Sequence, residues 1–147
     1  MRSRNWLMCV LLILGLCRVG IVCAEVDVID PHAHYPEGPL WDQGRLLYVE
    51  YAAGDIKAWD GKGARIWWRR EHCGPNGLIH FHGDHIVVAC YDGNYLVELD
   101  AGGKPVRTIS KDSSGKPFVG PNDVCSDGHG GIYFSASGRY DIKAPIT

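Results

Sequence analysis

The sequence repeats one short pattern three times, at intervals of 39 and 46 residues. In each copy a polar residue opens a short apolar run, a turn rich in Gly, Asp and His follows, and a β-rich run begins ten residues after the opener. The three openers are Glu37, Asn76 and Asn122. Self-similarity at such a period is typical of repeat architectures, so it constrains the fold more than any local feature does.

Each full repeat predicts four short strands separated by glycine-containing turns. The predicted strands are 39–41, 45–51, 55–59 and 64–68 in the first repeat, 77–81, 85–91, 95–100 and 106–109 in the second, and 123–125 and 131–135 in the third. Residues 25–30 alternate weakly and predict an additional edge strand. No helical periodicity of useful length follows residue 24, so the chain is predicted to be nearly all β.

Four antiparallel strands in each repeat of about 40 residues are the plan of a β-propeller blade. A β-sandwich is the alternative, but it gives no reason for a polar opener at the same offset three times. In a propeller the innermost strand of every blade begins at the mouth of the central channel, where we expect the three openers to converge. About two and a half blades cannot close a ring, which needs about four. Residues 25–147 are therefore expected to be the N-terminal part of a propeller domain in a longer protein.

Residues 1–24 have the parts of a secretory signal peptide. They contain three arginines and no acid, and they surround an apolar run of 11 residues, Trp6 to Leu16. That run is shorter than the ~20 residues of a membrane-spanning helix. We expect cleavage after Ala24, a secreted or periplasmic protein, and no membrane association once the leader is removed.

Charge and cysteine content bound the function further. Loss of the three leader arginines changes the net charge from −2 to −5, so a nucleic-acid partner is not expected.

Of the six cysteines, Cys73, Cys90 and Cys125 remain after the leader is removed, and this odd number predicts a free thiol or a partner outside the chain. The spacing of Cys73 and Cys90 is not that of a metal knuckle, and we expect these cysteines to be buried as small apolar side chains.

The openers are also the candidate binding site. A carboxylate from Glu37 and amide oxygens from Asn76 and Asn122 would form an all-oxygen cluster of the kind that suits Ca²⁺, Mg²⁺ or Mn²⁺. The alternative is that these residues are turn formers that start each blade. A rival zinc site is offered by His80, His82 and His85, although their place in the first hairpin of blade two favours a surface turn at the opposite end.

Three motifs together resemble the senescence marker protein/gluconolactonase family, which includes regucalcin. They are Tyr35-Pro36-Glu37-Gly38-Pro39-Leu40-Trp41, Pro75-Asn76-Gly77-Leu78, and Gly120-Pro121-Asn122-Asp123-Val124 with the strand 131–134. The resemblance implies a six-bladed propeller that holds a divalent cation in its channel and hydrolyses sugar lactones. The expected cation is Ca²⁺, with Zn²⁺, Mg²⁺ and Mn²⁺ as alternatives.

By the same resemblance, Glu37 and Asn122 correspond to metal-binding residues, while Asn76 and Asp123 face the substrate. Regucalcin-like members carry an arginine where this chain has Gly120, which favours the gluconolactonase branch. The general-base aspartate of the family is expected beyond residue 147. The predicted function is a metal-dependent hydrolase of a sugar lactone or related ester, acting on a small molecule. The alternative is a non-catalytic secreted propeller that binds a ligand or protein at its channel mouth.

Overall fold

The computed structural model describes residues 25–139, which form three antiparallel sheets in chain order. The first sheet contains β1 (Pro36–Asp42), β2 (Arg45–Glu50), β3 (Asp55–Trp59) and β4 (Ala64–Arg69). The second contains β5 (Pro75–Phe81), β6 (His85–Cys90), β7 (Tyr95–Leu99) and β8 (Pro105–Ile109). The third pairs β9 (Pro121–Ser126) with β10 (Ile132–Ala136). The predicted signal peptide lies outside the described residues.

The strands follow one another as neighbours in each sheet, so every sheet is a simple meander. The first strands of the three sheets lie side by side, with β1 against β5 and β5 against β9. This is the arrangement of propeller blades around a channel. We call the sheets blades one, two and three, and the end at which β1, β5 and β9 begin the top.

The predicted strands are confirmed, with small shifts at their ends. The largest shifts are at the starts of β1, β5 and β9, which begin earlier than predicted, at Pro36, Pro75 and Pro121. Proline lacks a backbone N–H but is tolerated as the first residue of a strand, so it marks the start of pairing here. A short 3₁₀ turn, Tyr51–Ala53, is the helical element of the described residues, and no helix among them is long and apolar enough to cross a bilayer.

The predicted edge strand at residues 25–30 is wrong. This segment has no ladder partner in the structure. Its anchor is Asp30, whose carboxylate accepts hydrogen bonds from the Tyr48 hydroxyl at 2.6 Å and from Lys57 Nζ at 3.0 Å. Side-chain bonds of one aspartate therefore replace the backbone pairing that the weak alternation suggested.

Two apolar clusters hold the blades together. The first joins blades one and two, and its fully buried members include Leu47, Val49, Ile56, Ile86, Val88, Val97 and Leu99. The second joins blades two and three through Val87, Ala89, Leu96 and Val124, with Ile132 and Phe134 packed against them. Because side chains alternate along β6, its odd and even residues supply different clusters, so blade two is apolar on both faces.

The cysteine prediction needs two corrections. Cys73 and Cys90 are buried as expected, but they form a disulfide with a Cα–Cα distance of 4.6 Å. The separation of 17 residues in sequence does not predict the Cα–Cα distance. The distance is short because β5 pairs with β6, which brings Cys90 opposite Pro75, two residues after Cys73. Cys125 is not buried: within residues 25–139 it is an exposed thiol without a disulfide partner, on β9 opposite the exposed Tyr133 of β10.

Candidate active site at the strand openers

The pairing of each blade's first two strands is irregular at the opener. In blade one the register shifts between Glu37 and Leu40, and in blade two it shifts between Pro75 and Leu78. In blade three the register shifts between the pairs Phe134–Val124 and Ala136–Pro121, so the additional residue again lies on the first strand, beside Asn122. A bulge of this kind bends the strand and turns a side chain away from the regular alternation. The openers are therefore aimed by the same local irregularity in all three blades.

Glycines after the openers bring neighbouring blades into backbone contact. Gly38 has φ +51°, and a Cβ there would overlap the carbonyl oxygen of Asn76. A Cβ on Gly77 would lie 2.9 Å from the carbonyl oxygen of Asn122 and 3.0 Å from Asp123 Cα. Only a residue without a side chain permits this approach without displacement of the backbone. The glycines thus set the spacing between one opener and the next.

The openers line one cleft at the top of the blades. Its volume is about 290 Å³, and its walls are Glu37, Tyr51, Asn76, Tyr91, Asn122 and Ser137. A second opening of about 350 Å³ beside it is lined by the same three openers together with Asp123. The structure thus brings together the four residues that the sequence singled out. The metal role of Glu37 and Asn122, and the substrate role of Asn76 and Asp123, stay predictions.

The side chains of the openers are available for a ligand. Within residues 25–139, those of Glu37, Asn76 and Asn122 have no hydrogen-bond or ion-pair partner, although Asn76 is only 7% exposed. Asp123 differs, because its Oδ1 accepts the backbone N–H of Val124 at 2.8 Å. Among the described residues no buried side-chain nitrogen or oxygen lacks a partner, so the unpaired polar atoms of the openers reach the solvent of the cleft.

The donor set fits a hard divalent cation. One carboxylate and two amide oxygens face the cleft, and oxygen donors are what Ca²⁺ and Mg²⁺ prefer. Among the described residues there is no group of three or more His, Cys, Asp or Glu side chains placed to hold a metal. The opener cluster is not a group of this kind, because two of its three ligand oxygens would come from the asparagine amides of Asn76 and Asn122.

Two tyrosines of this cleft, Tyr51 and Tyr91, were not predicted as site residues from the sequence. Tyr51 donates a hydrogen bond from its hydroxyl to Asp92 Oδ1 at 3.1 Å, and Tyr91 donates to the carbonyl oxygen of Gly138 at 2.8 Å. Burial, together with the Asp92 carboxylate, raises the pKa of Tyr51, so its phenol keeps its proton. A signal was present, since Tyr51, Tyr91 and Ser137 each follow the second strand of their blade and all carry a hydroxyl.

The hairpin histidines do not converge. His80 Nε2 lies 3.0 Å from the carbonyl oxygen of Trp41 in blade one, whereas His85 Nδ1 bonds Glu98 at 2.7 Å within blade two. The His82 ring packs on Phe81 with 3.8 Å between centroids. All three lie at the end of the blade away from the openers, in the surface hairpin that the sequence favoured. Three different partners leave these rings without a common point of coordination.

A family model agrees with this architecture. The model of the SMP-30/gluconolactonase/LRE-like region matches residues 35–144. The chain belongs to this family. The resemblance drawn from the three opener motifs is thereby confirmed. A search of curated protein sequences finds no significant match.

Solved structures of similar fold extend the comparison. A candidate gluconolactonase from structural genomics superposes with a TM-score of 0.65 at 20% identity, over 74% of this chain and 38% of its own. A gluconolactonase from Xanthomonas campestris gives a TM-score of 0.60 at 21% identity, over 69% and 35%. A luciferin-regenerating enzyme gives 0.55 at 15% identity, over 76% and 40%. The chain thus spans less than half the length of these structures. The propeller prediction is confirmed, with two full blades and two strands of a third in residues 25–139.

Proposed function

We propose that this protein is a metal-dependent lactonase-type hydrolase whose active site is the opener cleft. The observation that carries the proposal is the meeting of Glu37, Asn76 and Asn122 in one cleft, with side chains that have no partner among the described residues. Family membership and the gluconolactonases among the structural neighbours support the reaction class. The substrate we propose is a sugar lactone or a related ester.

Glu37 and Asn122 would hold the cation, which we propose to be Ca²⁺. When bound, such an ion polarises a carbonyl oxygen and stabilises negative charge that develops on it. Glu37 supplies the negative charge that a hard cation requires, because it is the carboxylate without a hydrogen bond at the cleft. Asn76 and Asp123 would contact the substrate from neighbouring strands.

The remaining residues of the cleft bind and orient. The Tyr51 phenol stays protonated at neutral pH, since burial and Asp92 raise its pKa. Its hydroxyl is held by Asp92 and its ring meets the ring of Tyr91 edge-on, with 6.2 Å between centroids. Two fixed aromatic side chains beside polar amides provide an apolar wall for one face of a ring and hydrogen bonds for its edge.

The proposal includes export to the periplasm or to the cell exterior. The Cys73–Cys90 disulfide supports this localisation, because disulfides persist mainly in oxidising compartments. The leader-like residues 1–24 support it independently. N-terminal sequencing of the mature protein should give Glu25 as the first residue, and a protein that still begins at Met1 would contradict export with cleavage.

The activity is tested with glucono-1,5-lactone and the full-length protein, by the acid that hydrolysis releases. Removal of divalent cations with EDTA should abolish hydrolysis, and added Ca²⁺ should restore it. Asn122→Ala should lower kcat/KM at least about tenfold, because it removes a donor that no other described residue replaces. Hydrolysis that survives both treatments would overturn the metal-dependent site. Binding of Ca²⁺ and lactone without hydrolysis would identify a binding protein instead.

A further inference from the structure

Another pocket, larger than the opener cleft and distinct from the opening lined by Asp123, lies beside the cleft at the top of blades two and three. Its volume is about 430 Å³, within the range of small-molecule sites, and its walls include Asp92, Asn94 and Arg139. Tyr51 and Tyr91 line both this pocket and the opener cleft. The two spaces therefore lie next to each other at the same end of the blades, with Tyr51 and Tyr91 bordering both.

The floor of this pocket is held in place by hydrogen bonds across two blades. Asn94 Nδ2 donates to the carbonyl oxygen of Asp92 at 3.1 Å, while Asn94 Oδ1 accepts the N–H of Gly120 at 3.0 Å. Asn94 adopts φ +56°, a conformation that asparagine tolerates better than most residues. The turn after β6 is thereby tied to the residue that precedes β9, so the pocket is formed before any ligand arrives.

The Asp92 carboxylate is seated by a glycine. Gly74 has φ +53°, and a Cβ there would overlap Asp92 Oδ2. The other oxygen, Oδ1, accepts the Tyr51 hydroxyl at 3.1 Å. Within residues 25–139, Oδ2 has no hydrogen-bond partner and Arg139 has no ion-pair partner. The pocket therefore presents a fixed acceptor and a cationic donor to whatever enters it.

This chemistry selects a neutral, hydroxyl-bearing ring. The Asp92 carboxylate accepts hydrogen bonds from hydroxyl groups, the Arg139 guanidinium donates hydrogen bonds to them, and the tyrosine rings cover an apolar ring face. A phosphate or carboxylate ligand would meet the negative charge of Asp92 as well as Arg139, so the pocket is poorly suited to anions. An apolar ligand would leave Asp92 and Arg139 desolvated without partners.

We propose that this pocket is a second substrate subsite, which takes a hydroxylated ring linked to the lactone in the opener cleft. The substrate class is thus a lactone of a disaccharide-type sugar acid rather than of a single sugar. This inference rests on the proposed lactonase function. Asp92 would determine specificity by accepting hydrogen bonds from the second ring.

The test compares lactobiono-1,5-lactone with glucono-1,5-lactone as substrates of the full-length protein. The wild type should have the higher kcat/KM for the disaccharide lactone, and Asp92→Asn should lower the ratio of the two constants about tenfold. The matched control is Asp100→Asn, an aspartate of the same blade that accepts backbone N–H groups in the turn at the opposite end. That variant should leave the ratio unchanged, and a thermal melt checks that both variants fold.

A binding measurement separates this inference from the proposed function. By calorimetry, lactobionate should bind the wild type more tightly than gluconate does, and Asp92→Asn should remove that difference. If neither lactone is hydrolysed but the binding difference depends on Asp92, the lactonase proposal fails and the pocket stands as a disaccharide site. If lactobionate binds no more tightly than gluconate, or if Asp92→Asn leaves both ratios unchanged, the second subsite is refuted.

Discussion

Blades one and two place different chemistry at the same position of the repeat. Cys73 lies two residues before the proline that opens β5 and is joined to Cys90, the β6 residue that pairs with that proline. In blade one the corresponding pair is His34 and Glu50, where the His34 backbone N–H donates to Glu50 Oε1 at 3.2 Å. One blade closes this junction with a covalent bond in an apolar interface, and the other closes it with a hydrogen bond.

The neighbours of each blade account for the difference. The β6 face that contains Cys90 packs against blade one, and Ile86, Val88 and Cys90 are all fully buried. Among residues 25–139, the β2 face that contains Tyr48 and Glu50 meets residues 28–33, where Asp30 accepts the Tyr48 hydroxyl. There Lys57 bridges Glu50 at 2.9 Å and Asp30 at 3.0 Å. The two blades therefore share the same strand arrangement, whereas the type of side chain on each face matches the element that packs against it.

The largest expected effect follows loss of the disulfide. Replacement of Cys73 and Cys90 by alanine should lower the free energy of unfolding by about 3 kcal/mol, because a closed loop of this length restricts the unfolded chain. Denaturant titration of the wild type and the double variant measures the change. The control is a reducing agent, which should destabilise the wild type and leave the double variant unaffected. Equal stability of the two proteins would show that this junction does not depend on the covalent bond.

A smaller contrast is expected from the corresponding positions Val88 and Tyr48. Val88→Ala should cost about 2 kcal/mol, since it removes two methyl groups from a fully buried site between two blades. Tyr48→Phe should cost about 1.5 kcal/mol, the lower end of the range for a hydrogen bond to a charged group, because it removes the hydroxyl that donates to the Asp30 carboxylate while Lys57 still contacts it. Chemical denaturation of both variants measures the two losses in the free energy of unfolding. A larger loss in Tyr48→Phe than in Val88→Ala would contradict the conclusion that the apolar face of blade two contributes more stability than the polar face of blade one.

A pH-dependent contrast is expected at Asp30. Hydrogen bonds from Tyr48, and then from Lys57, lower the pKa of Asp30 from 3.8 to about 2. A carboxyl group with a depressed folded-state pKa stabilises the fold above its unfolded pKa and loses that contribution as pH falls through the folded value. The melting temperatures of wild type and Asp30→Asn should therefore differ near pH 6 and converge between about pH 4 and pH 2. A difference in melting temperature that persists at pH 2 would show that Asp30 does not stabilise the fold through the charge of its carboxylate.

Much of the fold was predictable because its signals are local. Alternating residues and glycine turns mark every strand from β1 to β10, and the spacing of Glu37, Asn76 and Asn122 predicted three inner strands that begin at one end. The convergence of these residues followed from the fold class, and the cleft that they line agrees with it.

The rest depends on distances that the sequence does not encode. The Cys73–Cys90 bond follows from strand pairing rather than from spacing, and the exposure of Cys125 follows from what covers its face. Tyr51 was assigned to a strand, yet its position after β2 places it in the cleft beside Tyr91 of the next blade. Strand pairing within a blade decided the first of these outcomes, and the surroundings of each face decided the others.

The central claim is that the strand openers form one cation site, and calcium titration by calorimetry tests it most directly. Glu37→Gln in the full-length protein keeps the size of the side chain but removes its charge. Stability without metal should change little, because Glu37 is exposed and has no hydrogen-bond partner within residues 25–139. Calcium affinity should fall at least about tenfold, since hard-cation sites depend on carboxylate charge, while His82→Ala should bind as the wild type does. Unchanged binding in Glu37→Gln together with lost binding in His82→Ala would contradict the account and assign the metal to the hairpin histidines.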